Sequence, residues 1–300
     1  MYCIVKIAHI NNTSGLGTKI SKEQEKKYNH QTKVFVFSDI VSKQFGGEKY
    51  NYNSRFSKFK FFNEIKNFDV WHYHYPYGSL KSSLEKKKNK DNNKILIKHY
   101  HGSDLRGKFE DEQCFVSTPD LLKFAPNGIW IPIAIDVDEI LRYDKRLKRN
   151  NEVKKIAHYP YYKIRKTHGD NYSKTLNIIK NEYNCEIVEI INVKHNEAIS
   201  LISECDIVIG KIMPEMGWFS TFELEGMLLG KPVIAYVSNG LYEKYKPPIY
   251  ITTKDTFEKD LVNLLEDEKM QKKLAVEGKT YVCNMHAVDK VVDMIERYYR

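Results

Sequence analysis

Short apolar, β-branched runs alternate with polar-faced helical stretches along the whole of this 300-residue chain, and they do so in two series. In the first, the runs are YCIVKIAHI (2–10), KVFVFS (33–38), DVWHYH (69–74), KILIKHY (94–100), CFVS (114–117) and IWIPI (129–133), with helical patterns at 18–28, 59–67, 78–89 and 119–123. The second begins near residue 153 with VKKIAHY (153–159) and continues through CEIVEII (185–191), CDIVIG (205–210), KPVIAYV (231–237) and PIYIT (248–252). Its helices are expected at 169–183, 195–204, 219–229 and 255–266, and 267–300 reads as helical. Strands that are apolar on both faces need cover on both, which parallel strands joined by helical crossovers provide. The basic stretch YDKRLKRNNEVKK (143–155) separates the series and reads as a linker. The expected fold class is α/β, with two Rossmann-like domains whose parallel sheets face a central cleft, the first over 1–148 and the second from 149.

With 42% hydrophobic and 13% aromatic residues the chain can fill two cores, which argues against disorder. A formal net charge of +9 favours an anionic partner such as a nucleotide, a nucleic acid or a phospholipid surface. Much of the lysine reads as solvated surface, as in EKKKNKDNNK (85–94), and the basic residues follow no nucleic-acid-binding motif, so nucleic acid is not an expected partner. Five scattered cysteines, odd in number and without a CxxC pair, suit reduced thiols in a cytosolic protein. The N-terminal strand pattern lacks a basic lead-in and cleavage site, and no apolar stretch approaches the ~20 residues that span a bilayer. A soluble cytoplasmic protein is expected, with peripheral contact at the inner membrane face left open.

Ligands of open αβ sheets bind beyond the carboxyl ends of the strands, so three loops attract attention. In NNTSGLGTK (11–19), Gly15 and Gly17 either close a turn or let a phosphate or sugar approach the following helix N-terminus. In HYPYYKIRKTHGD (158–170), Lys163 and Lys166 either bind a diphosphate or lie on a solvated basic loop. In PEMGWFSTFELEG (214–226), Glu215 and Gly217 lead into a helix whose first turn carries Trp218, Phe219, Ser220 and Thr221 and whose amides suit an anion. Glu223 and Glu225 are two apart and cannot share one helix face, so one is expected in solvent and the other towards the cleft. Gly230 reads as the residue that ends this helix.

Two further stretches, WHYHYP (71–76) and KHYHGSDLRG (98–107), carry His-x-His pairs, and on a strand each pair lies on one face. Strand packing, catalysis and a metal site are all open from the pattern. A zinc site needs a third ligand and defined geometry. A metal-dependent hydrolase using these pairs is therefore an alternative.

Taken in order, GWFSTFELEGMLLGKPVIAYV, FDVWHYHY, HGSDLR, STPDLLKFAPNGIWIPIAIDVDEI and HYPYYKIRK resemble the signatures of family 4 (group 1) retaining glycosyltransferases, over nearly the whole chain. That resemblance implies the GT-B fold, with domains over 1–148 (acceptor side) and 149–283 (donor side) and a last helix over 284–300 that crosses back to the first. It also implies a metal-independent transfer of a sugar from a nucleotide-diphospho-sugar, UDP- or GDP-linked, to an acceptor hydroxyl with retention and no required cofactor. The acceptor, whether glycan, lipid or protein, is not indicated. Anchored on Gly-Lys-Pro-Val, the second glutamate of the family's pair falls on Glu225, which in relatives binds the donor ribose. The first falls on Gly217, so that carboxylate is missing, and Glu215 is a candidate substitute. Lys163 and Lys166 take the diphosphate-binding positions, with Lys163 in place of an arginine. His101 matches a histidine placed against the donor sugar, Gly15 the N-terminal glycine loop, and Asp104 and Arg106 fall near the acceptor, which makes His101 and Asp104 the candidate catalytic residues. A nucleotide-sugar epimerase of the same fold is a further alternative. The Asp-x-Asp at 136–138 resembles a metal motif of another glycosyltransferase fold but lies at the end of the Pro-Ile-x-x-Asp stretch, and is discounted.

Overall fold

The computed structural model describes residues 3–37, 45–51, 53–91, 93–144, 153–160 and 172–299. The chain divides into two compact units, Met1–Ala134 with Val288–Arg300, and Ile135–Ala287. The first unit thus ends ahead of residue 148. Its two chain crossings lie side by side because Ile135 N–H donates to the His286 carbonyl and Ile135 pairs with Ala287.

In the first unit, β1 (Lys6–Ile10), β2 (Gln31–Val36), β3 (Glu48–Lys49), β4 (Val70–His74), β5 (Ile95–Tyr100), β6 (Cys114–Val116) and β7 (Gly128–Trp130) form one sheet in the order β3-β2-β1-β4-β5-β6-β7. Every neighbouring pair is parallel. The helices are α1 (Leu16–Tyr28), α2 (Arg55–Ile65) and α3 (Gly78–Lys88), with a 3-10 segment over Pro119–Phe124. All five residues of β4 are buried, as a strand covered on both faces requires. Ile10, Phe35, Phe61, Trp71, Tyr73 and Leu84 belong to the core cluster on one side of this sheet.

The second unit has β8 (Lys154–His158), β9 (Cys185–Glu189), β10 (Ile207–Ile209), β11 (Val233–Ala235) and β12 (Tyr250–Ile251), parallel throughout in the order β12-β11-β10-β8-β9. Its helices are α4 (Val137–Arg142), α5 (Ser173–Glu182), α6 (His195–Ser203), α7 (Thr221–Leu228), α8 (Asn239–Tyr245), α9 (Phe257–Glu266) and α10 (Glu268–Tyr281). Asp136 of the Asp-x-Asp stretch caps α4 by accepting from Glu139 N–H at 2.9 Å, which gives that carboxylate a structural role. Gly230 ends α7 as expected: it is left-handed at φ 69°, its N–H reaches Met227 O, and Lys231 N–H reaches Gly226 O.

α11 (Val288–Glu296) belongs to the first unit. Val291, Val292 and Ile295 are buried, Tyr28 O–H donates to Asp293 at 2.5 Å, and His30 Nε2 lies 3.0 Å from Glu296. Strand order reverses between β1 and β4 in the first sheet and between β8 and β10 in the second. The loops after those strands are where open αβ sheets place ligands.

Candidate functional site

At the first reversal point the chain leaves β1 through Asn11 and Asn12 into α1. Asn11 Nδ2 donates to the His74 carbonyl at 3.1 Å, tying the ends of β1 and β4 together. Asn12 holds the start of α1: its Oδ1 accepts from Thr18 N–H at 3.1 Å and its Nδ2 donates to the Thr18 hydroxyl at 2.8 Å. Gly15 precedes α1 in the left-handed region at φ 74°. Gly17 is required for a different reason: a Cβ there would lie 3.0 Å from Asn11 O and 3.2 Å from Asn12 Oδ1.

Beneath this loop the sheet carries five imidazoles. His9 and His72 are register partners on β1 and β4, and His74 pairs with His99 across β4 and β5. Parallel register partners point the same way, so the two His-x-His pairs and His9 share one face. His72 and His74 stack with ring centroids 4.2 Å apart, and His99 and His101 lie at 4.4 Å. His74 lies 3.1 Å from His9 and 3.3 Å from His101, while His72 lies 3.0 Å from His99, all nitrogen to nitrogen. Ser117 Oγ joins His101 Nδ1 at 2.5 Å to His99 Nε2 at 3.1 Å. The ends of the array are Gln24 Oε1, 2.8 Å from His9 Nε2, and Tyr299 OH, 2.6 Å from His72 Nδ1. Burial lowers the pKa of His9 to about 4, with the Gln24 hydrogen bond opposing, and that of His101 to about 3. It holds His72, His74 and His99 well below the ordinary imidazole range, with neighbouring imidazoles adding to the effect.

The strand opens at His101 into a loop fixed by Asp104. His101 N–H donates to both carboxylate oxygens at 3.0 Å and Gly102 N–H donates to Oδ1 at 2.6 Å. Burial pushes Asp104 up to about 6 against these backbone donors, which lower it. Arg106 turns towards Asp120, donating through Nε at 2.9 Å with Nη2 at 2.8 Å. His101, Asp104 and Arg106 are thus neighbours, with the aspartate and arginine shaping the loop that presents the histidine.

At the second reversal point, the loop after β10 leads into α7. Glu215 is exposed, and Gly217 is buried and left-handed at φ 68°. Trp218 and Phe219 are 2% and 1% exposed and stack on one another at 4.5 Å, so their side chains belong to the core. Ser220 and Thr221 are half-buried. The expectation that one of Glu223 and Glu225 faces solvent fails, because both are buried. They diverge as their spacing requires. Glu223 Oε2 accepts from Ser220 N–H at 2.9 Å and from its hydroxyl at 2.8 Å, and Oε1 accepts from Lys211 N–H at 2.7 Å. The Ser220 amide therefore already serves an internal anion. Glu225 Oε1 lies 2.6 Å from His195 Nε2 on α6, and its Oε2 has no hydrogen bond among the described residues. Lys163 and Lys166 lie outside the described residues.

For a metal, two histidine triplets bring one ligand atom each within 4.8 Å of one another: His9, His72 and His74, and His74, His99 and His101. These supply the third ligand that the sequence left unspecified. In both, however, the ring nitrogens are already paired with other imidazoles, Ser117, Gln24 or Tyr299.

No protein-family model matches the sequence, and no curated protein does. Solved structures do match. A sucrose-phosphate synthase from Thermosynechococcus elongatus aligns at TM-score 0.64 and 11% identity, covering 99% of this chain and 98% of its own. HepE from Anabaena, solved in complex with UDP-glucose, aligns at TM-score 0.61 and 15% identity, covering 98% of both chains. The chain has the GT-B fold. A UDP-GlcNAc 2-epimerase from Methanocaldococcus jannaschii also aligns, at TM-score 0.53 and 11% identity, covering 97% of this chain and 98% of that one.

Within this GT-B chain, sequence reasoning passed over His9, Gln24, Ser117 and Tyr299 in the first unit and His195 in the second. His9 repeats the strand-borne histidine of the two His-x-His pairs and was open to notice. His195 opens α6, and only the fold brings it to Glu225. Tyr299 is 227 residues from its partner His72.

Proposed function

We propose that this protein is a glycosyltransferase that moves a sugar from a nucleotide-diphospho-sugar, UDP- or GDP-linked, to an acceptor hydroxyl with retention and without a metal ion. The observation that carries the reading is Glu225: a buried carboxylate on the helix after the second reversal point, oriented by His195 through one oxygen and open at the other. A carboxylate so placed can accept from one ribose hydroxyl at its open oxygen and from the neighbouring one at the second lone pair of the oxygen that meets His195. The GT-B fold and a structural neighbour holding UDP-glucose support the same assignment. In this reading Glu225 binds the ribose, and Lys163 and Lys166 neutralise the diphosphate as it leaves. Gly15, Gly17 and Gly217 bring backbone close to the donor, with the amides of Trp218 to Thr221 beside it. Glu215 stands in for the missing first glutamate. His101 contacts the donor sugar, and Asp104 and Arg106 shape the acceptor side. The acceptor oxygen attacks the anomeric carbon from the face the diphosphate leaves, and the departing diphosphate takes the acceptor proton. Positioning and charge stabilisation are then the protein's contribution.

We also propose contact with an anionic membrane. Phe56 and Phe59, 78% and 66% exposed and three residues apart on α2, stand beside Arg55 and Lys60 on a chain of net charge +9. A liposome sedimentation series with varied anionic lipid tests this, since Phe56→Ser with Phe59→Ser abolishes binding if α2 is the contact.

A second reading, nucleotide-sugar 2-epimerisation, is favoured by the epimerase among the structural neighbours. A panel of nucleotide-sugars scored by thermal shift, then by product analysis without acceptor, separates the two. Slow hydrolysis with the configuration retained supports transfer, and appearance of the C2 epimer supports the second reading. If no nucleotide-sugar raises the melting temperature, both readings fail.

A further inference from the structure

The five imidazoles of the first unit form one unbranched line. From Tyr299 OH the contacts run through His72, His99, the Ser117 hydroxyl, His101, His74 and His9 to Gln24. Each ring uses both nitrogens, one towards each neighbour. A neutral imidazole has one N–H and one lone pair, so the tautomer of one ring dictates that of the next, and the Ser117 hydroxyl passes the direction on by accepting on one side and donating on the other. Only two arrangements satisfy every contact: all five rings protonated on Nε2, or all five on Nδ1.

Gln24 selects between them. Its Oε1 faces His9 Nε2 and can only accept, so His9 carries its proton on Nε2. The opposite amide orientation would present an N–H there and reverse the line. With Oε1 towards His9, Tyr299 donates to His72, and the direction is set throughout.

We propose that this line is a positioning device that holds His101 as the neutral Nε2–H tautomer, so that it meets a bound sugar as a hydrogen-bond donor. The proposal rests on reading His101 as the sugar contact. Two observations make His101 the outlet. The other four rings are buried, whereas His101 is half-buried. Its Nε2 contact with His74, at 3.3 Å, is the longest in the line, leaving that N–H the least committed donor. The groups facing it are His74 on β4, His99 on its own strand, Ser117 after β6 and the Asp104 carboxylate, which is taken up by backbone N–H groups.

The test is long-range proton–nitrogen NMR of the full chain labelled with 15N-histidine near neutral pH, with metal content measured on the same sample. All five rings should be neutral and protonated on Nε2. Gln24→Met, which removes the selecting acceptor, should move His101 to a mixture of tautomers, whereas Ser117→Ala, which leaves His101 joined to Gln24 through His74 and His9, should keep it on Nε2 and release only His99 and His72. A charged ring among the five, one protonated on Nδ1 in the wild type, or a His101 unchanged by Gln24→Met overturns the proposal. So does stoichiometric zinc whose removal by a chelator shifts these signals. On adding UDP-glucose or GDP-mannose, the His101 Nε2–H signal should move while those of His9 and His72 stay. An intact line in a chain that binds neither compound overturns the ligand assigned in the preceding subsection and leaves the tautomer assignment standing.

Discussion

Both units bury ionisable side chains at the carboxyl ends of their strands, and they stabilise them by opposite means. In the first, burial strips five imidazoles of charge and each becomes a neutral link between neighbours. In the second, two carboxylates two residues apart on α7 are received by donors, three for Glu223 and one for Glu225. The same contrast recurs within α7. Glu223 is saturated and holds the loop after β10 to the helix, whereas Glu225 keeps one oxygen for a ligand. Burial alone therefore does not mark a functional acid; an acceptor oxygen left without an internal donor does.

The contrast is broken most strongly by acid. An imidazole whose pKa falls on folding is protonated more readily in the unfolded chain. Its contribution is complete above the ordinary value of about 6.5 and is lost as pH falls towards the folded value. For His9, which folds to about 4, the loss is about 3 kcal/mol, and His101 extends the window to about 3. Asp104, raised to about 6, works the other way and gains on acidification, but it is one group against five. Urea melts at about pH 7 and about pH 5 should show the first unit losing stability well before the second. Equal losses in both units would contradict the neutral line.

Next in size is Glu223→Ala, which leaves the Lys211 and Ser220 amides without their acceptor and should cost about 2–4 kcal/mol, read as a lower denaturation midpoint of the second unit. Gly17→Ala is smaller. The close approach to Asn11 O outweighs the gain in helix propensity, for a net loss of about 1 kcal/mol in the first unit's melt.

How far these features were legible before the fold differs between the two regions. Buried parallel strands read as apolar runs, so β4, β5 and β8 were visible to within a residue or two. The two-residue β3 and the short α4 and α8 were not, because neither period has room to repeat in them. That His72 and His74 share a face follows from strand alternation. That His9, Ser117 and Tyr299 complete the line follows only from sheet order and the return of α11, which a local pattern does not encode. That His99 and His101 are links of one line through Ser117 is hidden for the same reason. On α7, spacing correctly kept Glu223 and Glu225 apart. It misjudged their exposure because their partners, the Lys211 amide and His195, are 12 and 30 residues away.

The account turns on Glu225 as a ligand for the nucleotide half of a donor. Glu225→Gln keeps the shape and one acceptor but removes the charge and the paired acceptors, and should leave stability within about 1 kcal/mol. Calorimetric titration of the wild type and this variant with the nucleotide-sugar that gives the largest thermal shift is the direct test. A loss of affinity of about tenfold or more, near 1.4 kcal/mol, with the fold intact is the predicted result. Unchanged affinity in a folded Glu225→Gln protein would contradict it.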